Sequence, residues 1–134
     1  MIIGVDPGER RTGVALADRE TRWARPLEVI DAREKDPVVR IAELVEEHAG
    51  TVIVVGRPVG LSGSSGPAVE VQQEFIARLR TAVAIPIEEF DERLTTVAAD
   101  RRLKEAGASA ARRKAVKDAV AAQLMLQDYL DARS

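Results

Sequence analysis

Ile2, Ile3 and Val5 carry apolar side chains on both parities of one short run, and no other feature constrains the fold as strongly. A strand apolar on one face can lie on a surface; one apolar on both must be central and covered on two sides. Pro7-Gly8 follows at once, with proline fixing φ and glycine free to take positive φ, so the chain turns there. Thr12 to Ala17 then supplies a returning strand, and the opening reads as an antiparallel hairpin. Asp6 ends the first run where the chain must turn. A carboxylate there is either a turn-forming residue or a metal ligand, and the hairpin alone leaves both open.

A chain of 134 residues is expected to form a single domain, 1–134, burying roughly two thirds of its unfolded surface. It has no cysteine, which excludes disulfides and thiolate zinc sites and fits a reducing cytoplasm. No stretch reads as a signal peptide or approaches the roughly 20 apolar residues of a membrane span, so a cytoplasmic protein without membrane contact is expected. The net charge of −2 excludes a general polycation, and any nucleic-acid surface must be local. Trp23, Phe75, Phe90 and Tyr129 are the whole aromatic inventory, and most have a plausible core position. Phosphate contacts rather than base stacking are therefore expected to carry nucleic-acid binding.

Along the chain, Trp23, Leu27, Val29 and Ile30 suggest a third strand over 22–30, at an edge because Pro26 removes a ladder donor. Asp36-Pro37 reads as N-cap and first helical position. Val38, Ile41, Ala42, Val45 and Ala49 form the apolar face of that helix, His48 meets its dipole, and Gly50 closes it. Thr51–Gly56 is a second fully buried strand, joined to the first by a crossover that implies parallel pairing. Gly56–Gly66, with Pro58, Gly60 and Gly63, is either a surface loop or a loop over the carboxyl ends of the strands, where open α/β sheets place ligands. It lacks the Lys-Ser/Thr ending of a Walker-type loop. Pro67 starts a helix with Ala68, Val71, Phe75, Leu79 and Val83 as its buried face, and Pro86–Phe90 is a fifth strand. Thr95 or Thr96 begins a third helix to Ala106 before Gly107, and Ser109 begins a last helix towards Tyr129-Leu130. Repeats, linkers and low-complexity tails are absent.

Acids collect at one place in this scheme. Asp6 ends the first strand, Asp91 and Glu92 end the fifth, and Asp118 lies in the last helix. The neighbours of Asp118 at helical spacing are Ala115, Ala121, Ala122 and Met125, so it belongs to the apolar stripe that packs on the sheet. An acid on a packing face must be paired, hydrogen-bonded or bound to a cation. Asp118 either pairs with an arginine such as Arg93 or joins the other acids around a divalent ion. Oxygen donors of this kind suit Mg²⁺ or Mn²⁺, whereas zinc favours His and Cys.

These residues carry a resemblance. The chain resembles the RuvX/YqgF family of RuvC-like, RNase H-fold nucleases, which is assigned to maturation of 16S ribosomal RNA precursors. The matching segments are Gly4-Val-Asp6-Pro-Gly8 with Thr12-Gly13-Val-Ala15; Ala24-Arg-Pro-Leu27; Val54-Val-Gly56 with Pro58 and Gly63; Asp91-Glu-Arg-Leu-Thr-Thr96; and Lys117-Asp118 with Ala121-Ala122 and Leu126-Gln127. The resemblance implies an RNase H-like α/β fold: a five-stranded mixed sheet with an N-terminal antiparallel hairpin and helices on both faces. It also implies a metal site made of Asp6, Glu92 and Asp118, with Asp91 as the other candidate on the fifth strand. The pattern departs at Gly56-Arg57-Pro58, where related RuvC-like enzymes carry an acid and this family an aliphatic residue.

The expected activity is metal-dependent hydrolysis of phosphodiester bonds in structured nucleic acid, foremost the 5′ end of 16S rRNA precursor. Two divalent ions roughly 4 Å apart activate water and stabilise both the developing charge and the leaving oxygen. Asp6 is the candidate bridging ligand. Arg93 either contacts the scissile phosphate or pairs with Asp91. Arg101, Arg102, Lys104, Arg112, Arg113, Lys114 and Lys117 flank the turn at Gly107, as a phosphate-tracking patch or a solvated face. Expected partners are structured RNA, branched DNA and ribosomal precursor particles, with the protein a monomer or homodimer. The alternatives are a Holliday-junction resolvase of the same fold and, in another class, a non-catalytic RNA-binding ribosome-assembly factor. An actin-like ATP-binding protein shares the strand-turn-strand opening but needs a second, duplicated domain.

Overall fold

β1 (Ile2–Asp6) occupies the middle of the sheet, as its two apolar parities require. The computed structural model describes residues 1–57, 67–91 and 110–133, the side chains of 67–69, 91 and 110–118 excepted. β2 (Arg11–Ala17), β3 (Ala24–Asp31), α1 (Pro37–Glu47), β4 (Val52–Arg57), α2 (Pro67–Ala82), β5 (Ile87–Asp91) and α3 (Ala110–Ala132) follow. The strand order of the five-stranded sheet is β3-β2-β1-β4-β5. β2 lies antiparallel to β1 and to β3, whereas β4 runs parallel to β1 and to β5. Both the hairpin and the parallel crossover read from the sequence are present.

The period of two along β1 divides the core. Ile3 and Val5 point with Val14, Leu16, Ile30, Ile53 and Val55 towards α1 and α2, which contribute Val38, Ile41, Leu44, Ile76 and Leu79. Ile2 points the other way with Ala15, Ala17, Ala24, Val52 and Val54, beneath Ala122, Met125, Leu126, Tyr129 and Leu130 of α3. Small residues make this second layer thin. A Cβ on Gly4 would stand 2.9 Å from the Leu126 Cβ, so glycine at that position sets how closely α3 approaches β1. β3 is an edge strand, as Pro26 requires, and Leu27 is the extra residue of a bulge between Val14↔Glu28 and Ala15↔Pro26.

Several local expectations change. The Asp36 side chain caps α1 by accepting from the Val38 N–H at 3.0 Å, but the buried stripe runs Val38, Ile41 and Leu44. Ala49 is exposed because the helix has ended: its N–H bonds to the Glu46 carbonyl and that of Gly50 to the Val45 carbonyl, a Schellman closure with Ala49 in the left-handed position at φ 51°. On α2 the buried side chains are Ile76 and Leu79 with Phe75 half-buried, while Val71 is 65% exposed. The helix is thus rotated from the stripe that Val71 would define, and Gln72 uses the first turns to donate to the Gly56 carbonyl at 3.1 Å. Trp23 is not in the core or in β3, being 74% exposed just before that strand begins. Phe90 and Tyr129 do meet beneath α3, edge to face at 5.8 Å. Pro58–Gly66, the helix expected from Thr95 or Thr96 to Ala106, Gly107 and Ser109 lie outside the described residues, as does the side chain of Ala68.

Candidate active site

The carboxyl ends of β1, β4 and β5 lie along one edge of the sheet because these strands are mutually parallel. Continuing the pairing of Val5 with Val55 brings Asp6 level with Gly56, which pairs with Phe90; Asp91 then pairs with Arg57. Asp6 and the end of β5 are thus separated by one intervening strand, roughly 10 Å at ordinary strand spacing. Asp6 is half-buried and shares its parity with Ile2 and Gly4, on the side covered by α3. On β5 the same side is taken by Glu88, which accepts a hydrogen bond from the Tyr129 hydroxyl, and by Phe90. Burial, and then this bond to Glu88, push the Tyr129 hydroxyl above the usual tyrosine range.

α3 points its first half at this edge. Towards its carboxyl end, the Leu130 carbonyl accepts from Arg22 and Gln127 holds the Ala24 N–H, beside the Ala24↔Ala17↔Ile2 row at the far end of β1. From Leu126 over Gly4, the helix therefore climbs towards Asp6 through Ala122 to position 118. Eight residues of helix rise about 12 Å, against roughly 7 Å from Gly4 to Asp6. Position 118 lies in the same helix, one turn before Ala121 and Ala122, both buried against the sheet.

Among the sequence-derived candidates, the structure sets Asp6, the backbone of Asp91 and the helical backbone at Asp118 towards one edge. Glu92, Arg93, Arg101, Arg102 and Lys104 lie outside the described residues. Arg112, Arg113, Lys114 and Lys117 occupy the first turns of α3 with Asp118. β4 contributes no acid here: Arg57 ends it and pairs with Glu89 at 3.9 Å.

Arg11, which sequence reasoning passed over, stands at this edge too. It begins β2 with the parity of Gly13, the partner of Asp6, and therefore faces the same side. Among the described residues, its Nη1 is buried with no hydrogen-bond partner. The signal was available in the hairpin's alternation, which puts positions 6, 11 and 13 on one side.

Comparison with known proteins agrees with this architecture. A family model described as "RuvX: Holliday junction resolvase" matches residues 1–132. A protein of Chloroflexus aurantiacus named "Putative pre-16S rRNA nuclease" is 46% identical over 134 residues, covering 99% of this chain and 88% of its own. One of the same name from Ruminiclostridium cellulolyticum is 39% identical over 132 residues, covering 97% and 93%. Among solved structures, Thermus thermophilus RuvC in complex with a Holliday junction substrate superposes with a TM-score of 0.59 at 18% identity, over 98% of this chain and 94% of that one. The Fowlpox virus resolvase complexed with Holliday junction DNA gives 0.59 at 12% identity, over 98% and 97%. At such identities these two structures speak for the fold alone, which is RNase H-like. Among the described residues, no helix is long and apolar enough to cross a membrane.

Proposed function

The chain belongs to the RuvX family of nucleases, and from that membership we propose that it trims the 5′ end of 16S rRNA precursor, with Asp6, Glu92 and Asp118 holding Mg²⁺ or Mn²⁺ at the carboxyl edge of β1 and β5. The observation that carries this reading is the direction of α3. A helix whose apolar stripe covers β1 takes position 118 towards Asp6, and we take a divalent ion, rather than an arginine, as the partner that an acid there requires. Glu92 is the ligand the family resemblance implies, with Asp91, at the end of β5, the other candidate.

The donor set fits the ion, since oxygen ligands match the preference of a hard divalent cation. When bound, the ion supplies an activated water and charge stabilisation at the phosphate. The chain's own part is to hold the acids on rigid elements, with Asp6 fixed by the hairpin register and Asp118 by the packing of α3. Arg11 adds a guanidinium on the Asp6 side whose Nη1 has no partner among the described residues, suited to an anionic ligand. Arg93, Arg101, Arg102, Arg112, Arg113, Lys114 and Lys117 are assigned to the phosphate backbone. We place the protein in the cytoplasm, on ribosomal precursor particles, as one domain acting as monomer or homodimer.

Asp6→Asn and Asp118→Asn test the site. Each removes charge from a cluster of like charges, so in EDTA both variants melt at or above the wild-type temperature, while cleavage of precursor rRNA in Mn²⁺ collapses. If Asp118 is instead half of a buried ion pair, its loss costs on the order of 3–5 kcal/mol and the variant unfolds early. A four-way DNA junction beside the rRNA precursor separates the resolvase reading, which the family description names. Cleavage that survives exhaustive chelation overturns the metal site.

A further inference from the structure

Trp23 is the only tryptophan of the chain. A lone exposed hydrophobe is ordinary on a protein surface, but the frame that holds this one is not. Arg22, immediately before it, adopts φ 60°, a left-handed backbone that a long side chain enters at a cost. The Arg22 N–H bonds back to the Asp18 carbonyl at 2.9 Å, closing the turn between β2 and β3. The peptide groups on both sides of Trp23 are gripped by one side chain: Gln127 Nε2 donates to the Arg22 carbonyl at 3.0 Å, and Gln127 Oε1 accepts from the Ala24 N–H at 2.9 Å. Gln123 donates to the Ala24 carbonyl at 3.1 Å, and the Arg22 guanidinium to the Leu130 carbonyl. α3 thus fixes the backbone of 22–24 while the indole stays 74% exposed.

Arg19, Arg22 and Arg25 are all exposed around it, against Asp18 and Glu20 in the same turn. Asp18 Oδ1 already accepts from the Glu20 N–H at 2.7 Å. An exposed indole on a fixed backbone, with arginines close to it in sequence, offers a π-face to a base and cations to its flanking phosphates. Ala24 pairs with Ala17 and Ala17 with Ile2, so Trp23 lies at the sheet edge opposite Asp6. Counted from Trp23, one residue beyond that row, the separation is roughly 16 Å along the strands and 10 Å across them. That is about six steps of a stacked strand at 3.4 Å each, within reach of one substrate.

We propose that Trp23, flanked by Arg19 and Arg25, is a stacking platform for an unpaired base of the nucleic-acid substrate, anchoring it away from the cleavage edge. The proposal rests on the nuclease reading above and adds a site to it. Because Trp23 is the sole indole, the protein's intrinsic tryptophan fluorescence reports on this residue alone. Titration of the full chain in EDTA with a short single-stranded RNA is expected to quench that fluorescence, and a blunt duplex of the same sequence is not. Anisotropy of a labelled strand should show Trp23→Ala binding about 5- to 100-fold more weakly, with Trp23→Phe retaining most of the affinity. In precursor cleavage, Trp23→Ala raises KM with kcat near that of the wild type.

Binding and cleavage with unchanged fluorescence, and Trp23→Ala matching the wild type, would overturn the platform and leave the nuclease standing. Quenching by the blunt duplex equal to that by the single strand also overturns base stacking. If Trp23→Ala loses affinity for precursor particles but not for naked RNA, the indole is a protein contact and the proposal fails. Failure of every nucleic acid to bind removes the nuclease reading together with it.

Discussion

Ala49 occupies a backbone conformation that glycine would adopt with less strain. It sits at φ 51° in the closure of α1, one residue before Gly50. A side chain at Gly50 would in turn press on Ile3 Cδ1 at 2.9 Å, and Ile3 would have to shift. Ala49→Gly is therefore expected to stabilise the protein by up to about 1 kcal/mol, read as a higher urea midpoint with an unchanged slope. Gly4→Ala should do the opposite: pressing a methyl into Leu126 costs about 1–3 kcal/mol and lifts α3 from β1. If position 118 works with Asp6 across that gap, Gly4→Ala also lowers cleavage beyond what its melting temperature explains. At this scale the sequence was legible where a residue's chemistry has one use. Asp36 before Pro37 had to cap, and Asp6 had to end a buried strand. Trp23 misled because its size argues for burial, and only the Gln127 clamp, a contact from the far end of the chain, says otherwise.

Arg40 ties α1 to the edge strand. Its Nε and NH2 each donate to Glu28 of β3 at 2.8 Å, and its NH1 reaches Glu43 and Glu47, both at 3.2 Å. The hydrogen-bonded guanidinium of Arg40 holds Glu28 below its ordinary value of 4.5, and the same contacts raise the Arg40 pKa. A carboxylate depressed in the folded state contributes stability in full above its unfolded pKa, and that contribution disappears as pH falls through the lower folded value. Asp36, bound by Arg78 at 2.6 Å, is held low in the same way. Urea midpoints measured from neutral pH downward should thus fall below about 4.5. Glu28→Gln should be less stable at neutral pH and fall less steeply in acid; parallel curves would mean that the pair contributes nothing. The Glu28–Arg40 pairing was not readable beforehand, since the two meet only after β3 and α1 have packed. Helix existence was readable, yet rotation was not. Val71 and Ile76 are equally apolar, and the sheet beneath decides which of them is buried.

Charge at the level of the whole chain says little about where nucleic acid binds, since basic and acidic residues nearly cancel at a net −2. The first turns of α3 are a local exception, with Arg112, Arg113, Lys114 and Lys117 in succession before Asp118. Replacing Arg112, Arg113 and Lys114 with alanine should weaken RNA binding and flatten its dependence on log salt by up to about 2 to 3. An unchanged slope returns the stretch to a solvated surface. The sheet order β3-β2-β1-β4-β5 has a further consequence, for the newborn chain. Among the described elements, synthesis delivers the central strand first and its second cover last. Ile2, Ala15, Ala17, Val52 and Val54 can be roofed only when Ala122 to Leu130 have left the ribosomal tunnel. Until then one side of a nearly finished sheet is bare and adhesive, and a stall late in translation leaves a product that belongs to the chaperones.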